Sequence, residues 1–347
     1  MKNLIFICCI LIILFKTGNV LSDNNIFNVN NIEISKENSK NKVKLVDQAF
    51  KKAFDSLINR LLLKNDYKRV SNIDLNQIKK LISYYQIINP EKNQRDKNIK
   101  VNVFFDKERM HNFFYNRNIL YSDIINTEVI FFPLLKQNDQ HFIYSQNYFY
   151  ENWKDAKFED IIQYTLPVEN IETMQKIEAN KNNIFKLDIE NFFGEYDVND
   201  LVFASIEINN NVAEVILNTR IEGKQINKNF LIKNEDNLNK KGFYDKVITN
   251  INNSIITLIK SQNLIDVRTP SFLNVEIKLN NKKNLVEFNN RLKKIDLIDK
   301  FYVQELNKDY VQVKIKYLGK INKIINKLKD QDINLKMIKG QWQLNII

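Results

Sequence analysis

The residues able to do covalent or metal chemistry are few. The 347-residue chain holds two histidines, His111 and His141, and two cysteines, Cys8 and Cys9. Both cysteines lie inside the apolar run Leu4–Phe15. A leader cut after that run removes every thiol and leaves no disulfide and no thiol chemistry. A Ser–His–acid set needs a histidine beside a serine on a tight turn, and no G-x-S-x-G occurs. His111, in Met110-His111-Asn112-Phe113, reads as a surface or half-buried helical residue, and His141 as part of a polar turn beside aromatics. A metal site takes three or four His, Cys or carboxylate ligands, and two distant histidines leave only an all-oxygen site. The acidic stretch Glu195–Asp200 lacks the glycine and closing Glu of a calcium loop and reads as a loop before a strand. Nothing marks a carboxylate pair for glycosidic cleavage. With 6 Gly there is no Gly-rich phosphate loop. The expectation is a chain with no catalytic residue, no metal ligand and no cofactor, and hence not an enzyme.

One local feature points to binding. Phe142–Trp153 interleaves aromatics with Asn and Gln, and Tyr144, Tyr148 and Trp153 are its candidate binding residues. Such rings stack on a cell-wall glycan or small solute while amides hydrogen-bond it. The competing reading, which we favour, is that the rings fill the seam between two domains, because large rings bury much area without regular structure.

The elements that would position these residues follow from composition and periodicity. The chain is 44% apolar and 27% charged, which fits a globular protein. Its length suggests two or three small domains. The net charge is +11, but the lysines are dispersed among acids and form no block of five, so they read as solvated surface and not as a nucleic-acid footprint. Lys2, the 12 apolar residues Leu4–Phe15, the break at Lys16-Thr17-Gly18 and the approach Val20-Leu21-Ser22 form a secretory signal-peptide pattern, cut near Ser22. The run is short of the roughly 20 residues a membrane span needs. The mature protein is therefore expected in the periplasm, touching the membrane only through the leader before cleavage.

Periodicity predicts an α+β protein of three small α/β sandwich-like domains after the leader at 1–22. Residues 23–135 read as a split βαβ domain. They comprise a strand over Ile26–Ser35, a helix over Asn41–Leu63, a shorter helix, strands over Tyr84–Ile88 and Ile99–Phe105, a helix after Asp106 and a buried strand over Glu128–Leu135. Residues 136–267 read as a middle α/β domain, with a hairpin across Asn209-Asn210-Asn211 and a long amphipathic helix over Phe243–Ile259. Residues 268–347 have the cleanest pattern. Leu273, Val275 and Ile277 alternate with Asn274, Glu276 and Lys278, and Ile321, Ile324, Ile325 and Leu328 mark a helix face. The plan is βαββαβ, ferredoxin-like, with polar residues expected on the open sheet face and with sheet edges able to receive a partner strand.

Asn41–Leu63, Val129–Leu135, Tyr144–Trp153 and Ile161–Glu169 together carry a resemblance. Leu57-Ile58-Asn59-Arg60-Leu61-Leu62 ends the long helix, Ile130-Phe131-Phe132-Pro133-Leu134 is an apolar strand running into a proline, and Asn147–Trp153 is an Asn–aromatic–Trp segment. In these features the chain resembles the bacterial family catalogued as domain of unknown function 2066, in its alphaproteobacterial form. The resemblance implies an exported envelope protein without assigned activity. It also implies a first half similar in plan to the small α/β domains that begin the translocation protein TolB and certain flagellar and cell-wall-synthase accessory proteins. Those domains bind other envelope proteins, so envelope proteins are the partners implied here. No family catalytic residue carries over. Tyr148-Phe149 stands where relatives show Pro-Trp, which weakens a shared binding role for that segment.

Overall fold

The computed structural model describes residues 25–36, 41–88, 98–124, 127–153, 161–194, 196, 198, 200–278 and 283–346. The expected leader, with Cys8 and Cys9, lies outside the described residues. In chain order the elements begin with β1 (Asn28–Ser35), α1 (Lys42–Leu61), α2 (Lys64–Val70), α3 (Leu75–Leu81), β2 (Ile82–Ile88), β3 (Asn98–Phe105), α4 (Lys107–Tyr115), β4 (Tyr121–Ser122) and β5 (Thr127–Gln137). Next come β6 (Gln140–Phe142), α5 (Tyr148–Asn152), β7 (Ile162–Thr165), α6 (Ile171–Ala179), a 3-10 segment (Lys181–Lys186), α7 (Ile189–Phe192), β8 (Leu201–Asn209), β9 (Val212–Ile221), β10 (Lys224–Lys233) and α8 (Lys240–Gln262). The chain closes with β11 (Leu264–Ile265), β12 (Ser271–Lys278), α9 (Lys283–Leu292), β13 (Ile298–Leu306), β14 (Tyr310–Tyr317), α10 (Ile321–Lys329), β15 (Ile333–Ile338) and β16 (Gln341–Ile346). The protein is a mixed α+β fold of several small sheets, as the periodicity predicts.

The chain groups into two compact units, each discontinuous in sequence. The first draws on Met1–Ala53, Leu75–His111 and Pro270–Ile347. Its smaller sheet is antiparallel with the order β1-β3-β2. Val101, Val103 and Phe105 of β3 are buried, and so are Leu45, Val46, Ala49 and Phe50 on one stripe of α1. The Phe50 ring meets Tyr85 of β2 edge-on, with centroids 5.1 Å apart. β1 kinks at Asn31, whose φ of 58° lies in the left-handed region that asparagine tolerates.

The larger sheet of this unit has the order β13-β14-β12-β16-β15. Of the expected inward residues, Leu273, Val275, Ile277, Ile324 and Leu328 are buried, while Ile321 and Ile325 of the second helix are half-buried. The topology departs from a four-stranded βαββαβ sheet. In that plan the strand after the second helix lies antiparallel beside the first strand. Here that strand, β15, is the edge, and β16 enters between β15 and β12, running parallel to β12 with Val275 opposite Trp342. The two-residue turn Lys339-Gly340 makes the β15–β16 hairpin that this order requires. Both its residues have positive φ (49° and 81°), the geometry that folds a tight hairpin.

The second unit draws on Phe54–Asp74 and Asn112–Thr269. Its main sheet has the order β10-β9-β8-β5-β6, with β7 also pairing β5. The strand expected to close the first domain, Glu128–Leu135, is thus the centre of a different sheet, parallel to β8 and to β7. Successive side chains go to two cores. Val129, Phe131 and Leu135 join Val247, Ile251 and Ile255 of α8 on one face. Ile130, Phe132 and Leu134 join Ile177 of α6 and Phe192 of α7 on the other. A strand buried on both faces reads as an unbroken apolar run, which is why Val129–Leu135 shows no alternation. At the far end of this unit, the buried Lys260 donates from Nζ to the Asn59 and Leu62 carbonyls (2.6 and 3.1 Å), satisfying groups at the C-terminus of α1.

Candidate functional site

The aromatic segment is core. The Trp153 ring is 1% exposed and stacks on Phe131, with centroids 3.9 Å apart. Tyr144 is buried in the core on the opposite face of β5, its hydroxyl donating to the Val168 carbonyl at 3.2 Å. Tyr148 packs on the Trp153 side and donates to Asp245 Oδ1 at 2.8 Å. Burial, helped by that carboxylate, pushes its phenol up to about 12. The three candidate binding residues therefore line no common surface, because Tyr144 and Trp153 are separated by the sheet itself. The rings do pack between Phe131 or Phe132 and residues beyond 136, as the favoured reading has it, but the two stretches belong to one unit, so what the rings fill is a core and not a seam.

What holds the segment is Asn147, which the sequence marks only as the first residue of the Asn–aromatic–Trp motif and which is fully buried. Its Nδ2 donates to the carbonyls of Pro133 (2.8 Å), Phe142 (3.0 Å) and Ile143 (2.9 Å). Its Oδ1 accepts from the Phe149 and Tyr150 amides and so caps α5. The position explains a proline in a central strand. On this flank β7 pairs β5 only as far as Ile130, and β6 begins at Leu135. Pro133 sits in the interval, and its carbonyl faces Asn147. The N–H and C=O of one residue point to the same side of a strand, so the donor that proline lacks is one that β8 does not need. The only sequence signal was the Asn preceding an aromatic helix start, which resembles any helix cap.

Titratable residues converge around His111 in the first unit, and others, His141 with Lys136, Glu207 and Glu178, in the second, where burial and Lys136 lower the His141 imidazole. His111 is buried with its ring edge-on to Phe27. Lys107 Nζ donates to the Ile298 carbonyl at 2.7 Å. Asp299 pairs with Lys316 at 2.7 Å, and Asp296 Oδ2 accepts from the Ile26 amide at 3.1 Å. Burial first, then Lys107 and Lys316 against the opposing pull of Asp299, holds the His111 imidazole down at about 4. Burial also lowers Lys107, against Asp296, Asp299 and Glu108. These contacts tie α4 and β1 to the start of β13. The imidazole is neutral at neutral pH, and the nearby charges are taken up by partners. Among the described residues no group of three or more His, Cys, Asp or Glu is placed to hold a metal ion.

The exposed surfaces are more informative. The open face of the larger sheet in the first unit is less polar than expected. Phe272 and Tyr302 both point outward beside Lys314, whose ammonium lies 4.6 Å from the Phe272 ring centre. The outward phenylalanine was hidden because Phe272 precedes the alternating run.

The surface that stands apart is β2. It is an edge strand bonded only to β3 among the described strands. Tyr84 (51%), Tyr85 (46%), Ile87 (42%) and Ile88 (37%) are all exposed. Tyr84 stacks on Phe104 of β3 at 4.2 Å, extending the apolar strip across the sheet. Edge strands are normally guarded by charges, bulges or brevity. Among the described edge strands of six or more residues, β1 has Glu33 and the Asn31 kink, β10 has Lys224, Lys228 and Lys233, β13 has Asp299, Lys300, Glu305 and two irregularities, and β15 has Lys336. β2 has no charged residue, and from Tyr84 to Ile88 its ladder with β3 is regular.

These features define a mixed α+β protein of small sheets in which, among the described edge strands of six or more residues, β2 is the one without a charge. No family model matches the chain, and no curated protein matches it. Among solved structures, the chain aligns with the crystal structure of lipoprotein GNA1162 from Neisseria meningitidis, at 13% identity over 37% of this chain and 96% of that one, with a TM-score of 0.24. A score that low carries no argument about fold or function. Among the described residues no helix is long and apolar enough to cross a membrane.

Proposed function

We propose that the chain is an exported, non-catalytic interaction module of the bacterial envelope, working in the periplasm by accepting a strand from a partner chain onto β2. The single observation that carries this is the charge-free, exposed edge Ile82–Ile88 beside four guarded edges. Strand addition takes affinity from main-chain hydrogen bonds and specificity from alternate side chains, and β2 offers both. The leader pattern at 1–22, the dearth of reactive side chains and the resemblance to the domain of unknown function 2066 family support the export and adaptor parts of the reading.

The test is a double substitution, Tyr84→Lys with Ile88→Lys, which installs the guard that β2 lacks. Both side chains are exposed, so the first unit should stay folded, its urea midpoint lowered only by the loss of the Tyr84–Phe104 stack, about 1 kcal/mol. Association with the partner should weaken at least about tenfold, since each edge contact contributes on the order of 1 kcal/mol. Unchanged association in a folded double variant would place the working surface elsewhere.

A further inference from the structure

We infer that the strand β2 accepts is β2 of a second copy of this chain, antiparallel across a two-fold axis at Gln86. The inference rests on the strand-addition reading and names its partner. The regular stretch of β2 is Tyr84–Ile88, beyond the irregularity between Ile82 and Tyr84. Laid antiparallel on itself about its centre, it sets Tyr84 against Ile88 on the outer face, Tyr85 against Ile87 on the face toward α1, and Gln86 against its own copy. Aromatic against β-branched side chains is the cross-strand pairing that stabilises antiparallel sheets. A two-fold axis makes every such contact twice.

Charge selects the partner as well. The chain carries +11, and +9 without Lys2 and Lys16 of the leader, so a partner chosen by charge complementarity would be acidic. It would be drawn to lysine-bearing edges such as β10. A copy of β10 laid centrally on itself sets Lys224 against Lys233, a like-charge pair that opposes self-association. β2 gives an acidic strand no cation to pair with, and it gives its own copy nothing to repel. The neutral strand it fits is itself, and the two three-stranded sheets would then join into one of six.

The experiment is sedimentation velocity of the full mature chain over a concentration series, with Gln86→Lys and Gln86→Glu variants run alone and mixed. The unaltered chain should dimerise reversibly. Each variant alone should dimerise at least about tenfold more weakly, because like charges then face each other at the axis, and the equimolar mixture should recover the dimer. Recovery on mixing excludes misfolding as the cause of the loss. A chain that stays monomeric throughout, variants that dimerise as well as the unaltered chain, or a mixture that does not recover would each overturn the inference. A monomeric chain that nevertheless binds a different protein, and loses it on the Tyr84→Lys/Ile88→Lys change, overturns self-pairing while strand addition stands.

Discussion

Asn147→Ala should destabilise the second unit by about 4 kcal/mol, more than an ordinary surface or cap substitution. The change strands three carbonyls, of Pro133, Phe142 and Ile143, and two amides, of Phe149 and Tyr150. Each buried group left without a partner costs about 1–3 kcal/mol, reduced where water enters the space the amide leaves. Loss of a helix cap alone would cost only about 1 kcal/mol. Asn147→Asp separates the two contributions. It keeps the acceptor for the α5 amides but turns an oxygen toward three carbonyls, so it should be no better than alanine. Urea unfolding followed through Trp153, in a Trp342→Phe background, reads the result. A loss near 1 kcal/mol for alanine, or near-complete rescue by aspartate, would mean that Asn147 is only a cap and that something else holds the aromatic segment.

The second large effect is a dependence on pH set by His111. Its imidazole ionises near 6.5 in an unfolded chain and at about 4 in the folded one, because it is buried beside Lys107 and Lys316. Below pH 6.5 the unfolded state takes up the proton and the folded state does not. Stability is therefore complete above pH 6.5 and is lost progressively as the pH falls toward 4, by about 3 kcal/mol across that window. The loss falls on the first unit, where His111 packs on Phe27. Urea unfolding between pH 7 and 4.5, followed through Trp342 in a Trp153→Phe background, should show it. In His111→Gln the same titration should be flatter by about that amount, a comparison that removes the carboxylates from the account. Equal pH profiles for the two chains would mean the imidazole is solvated.

Much of the fold was legible where one face of an element meets water. The alternation of Leu273, Val275 and Ile277 reports a single buried face, and in the stripe of Ile321, Ile324, Ile325 and Leu328 the central line, Ile324 and Leu328, is buried while its flanks are half-buried. Legibility failed where pairing is long-range. Glu128–Leu135 announced a buried strand, but nothing local says that its neighbour is β8, some 70 residues on, and not β3. The hairpin at Lys339-Gly340 is local, yet which of its strands turns inward depends on contacts with β12. The site was the least legible of all. Tyr84-Tyr85-Gln86-Ile87-Ile88 reads as an ordinary strand, and only the sheet order shows that, among the described strands, one of its flanks is unpaired. Conversely, the aromatics at 142–153 drew attention by their type, whereas their place in the interior is fixed by the amide of Asn147 among them.

The most direct measurement of how this protein works is photo-cross-linking from a benzophenone side chain at position 86, in cells and in the purified chain, with position 225 on β10 as the control. Gln86 and Gln225 are both exposed on edge strands. A covalent adduct at twice the mass of the chain, formed from 86 and not from 225, is the outcome expected of an edge that joins its own copy. Irradiation that captures no protein at all from position 86 would contradict the claim that β2 is a joining edge.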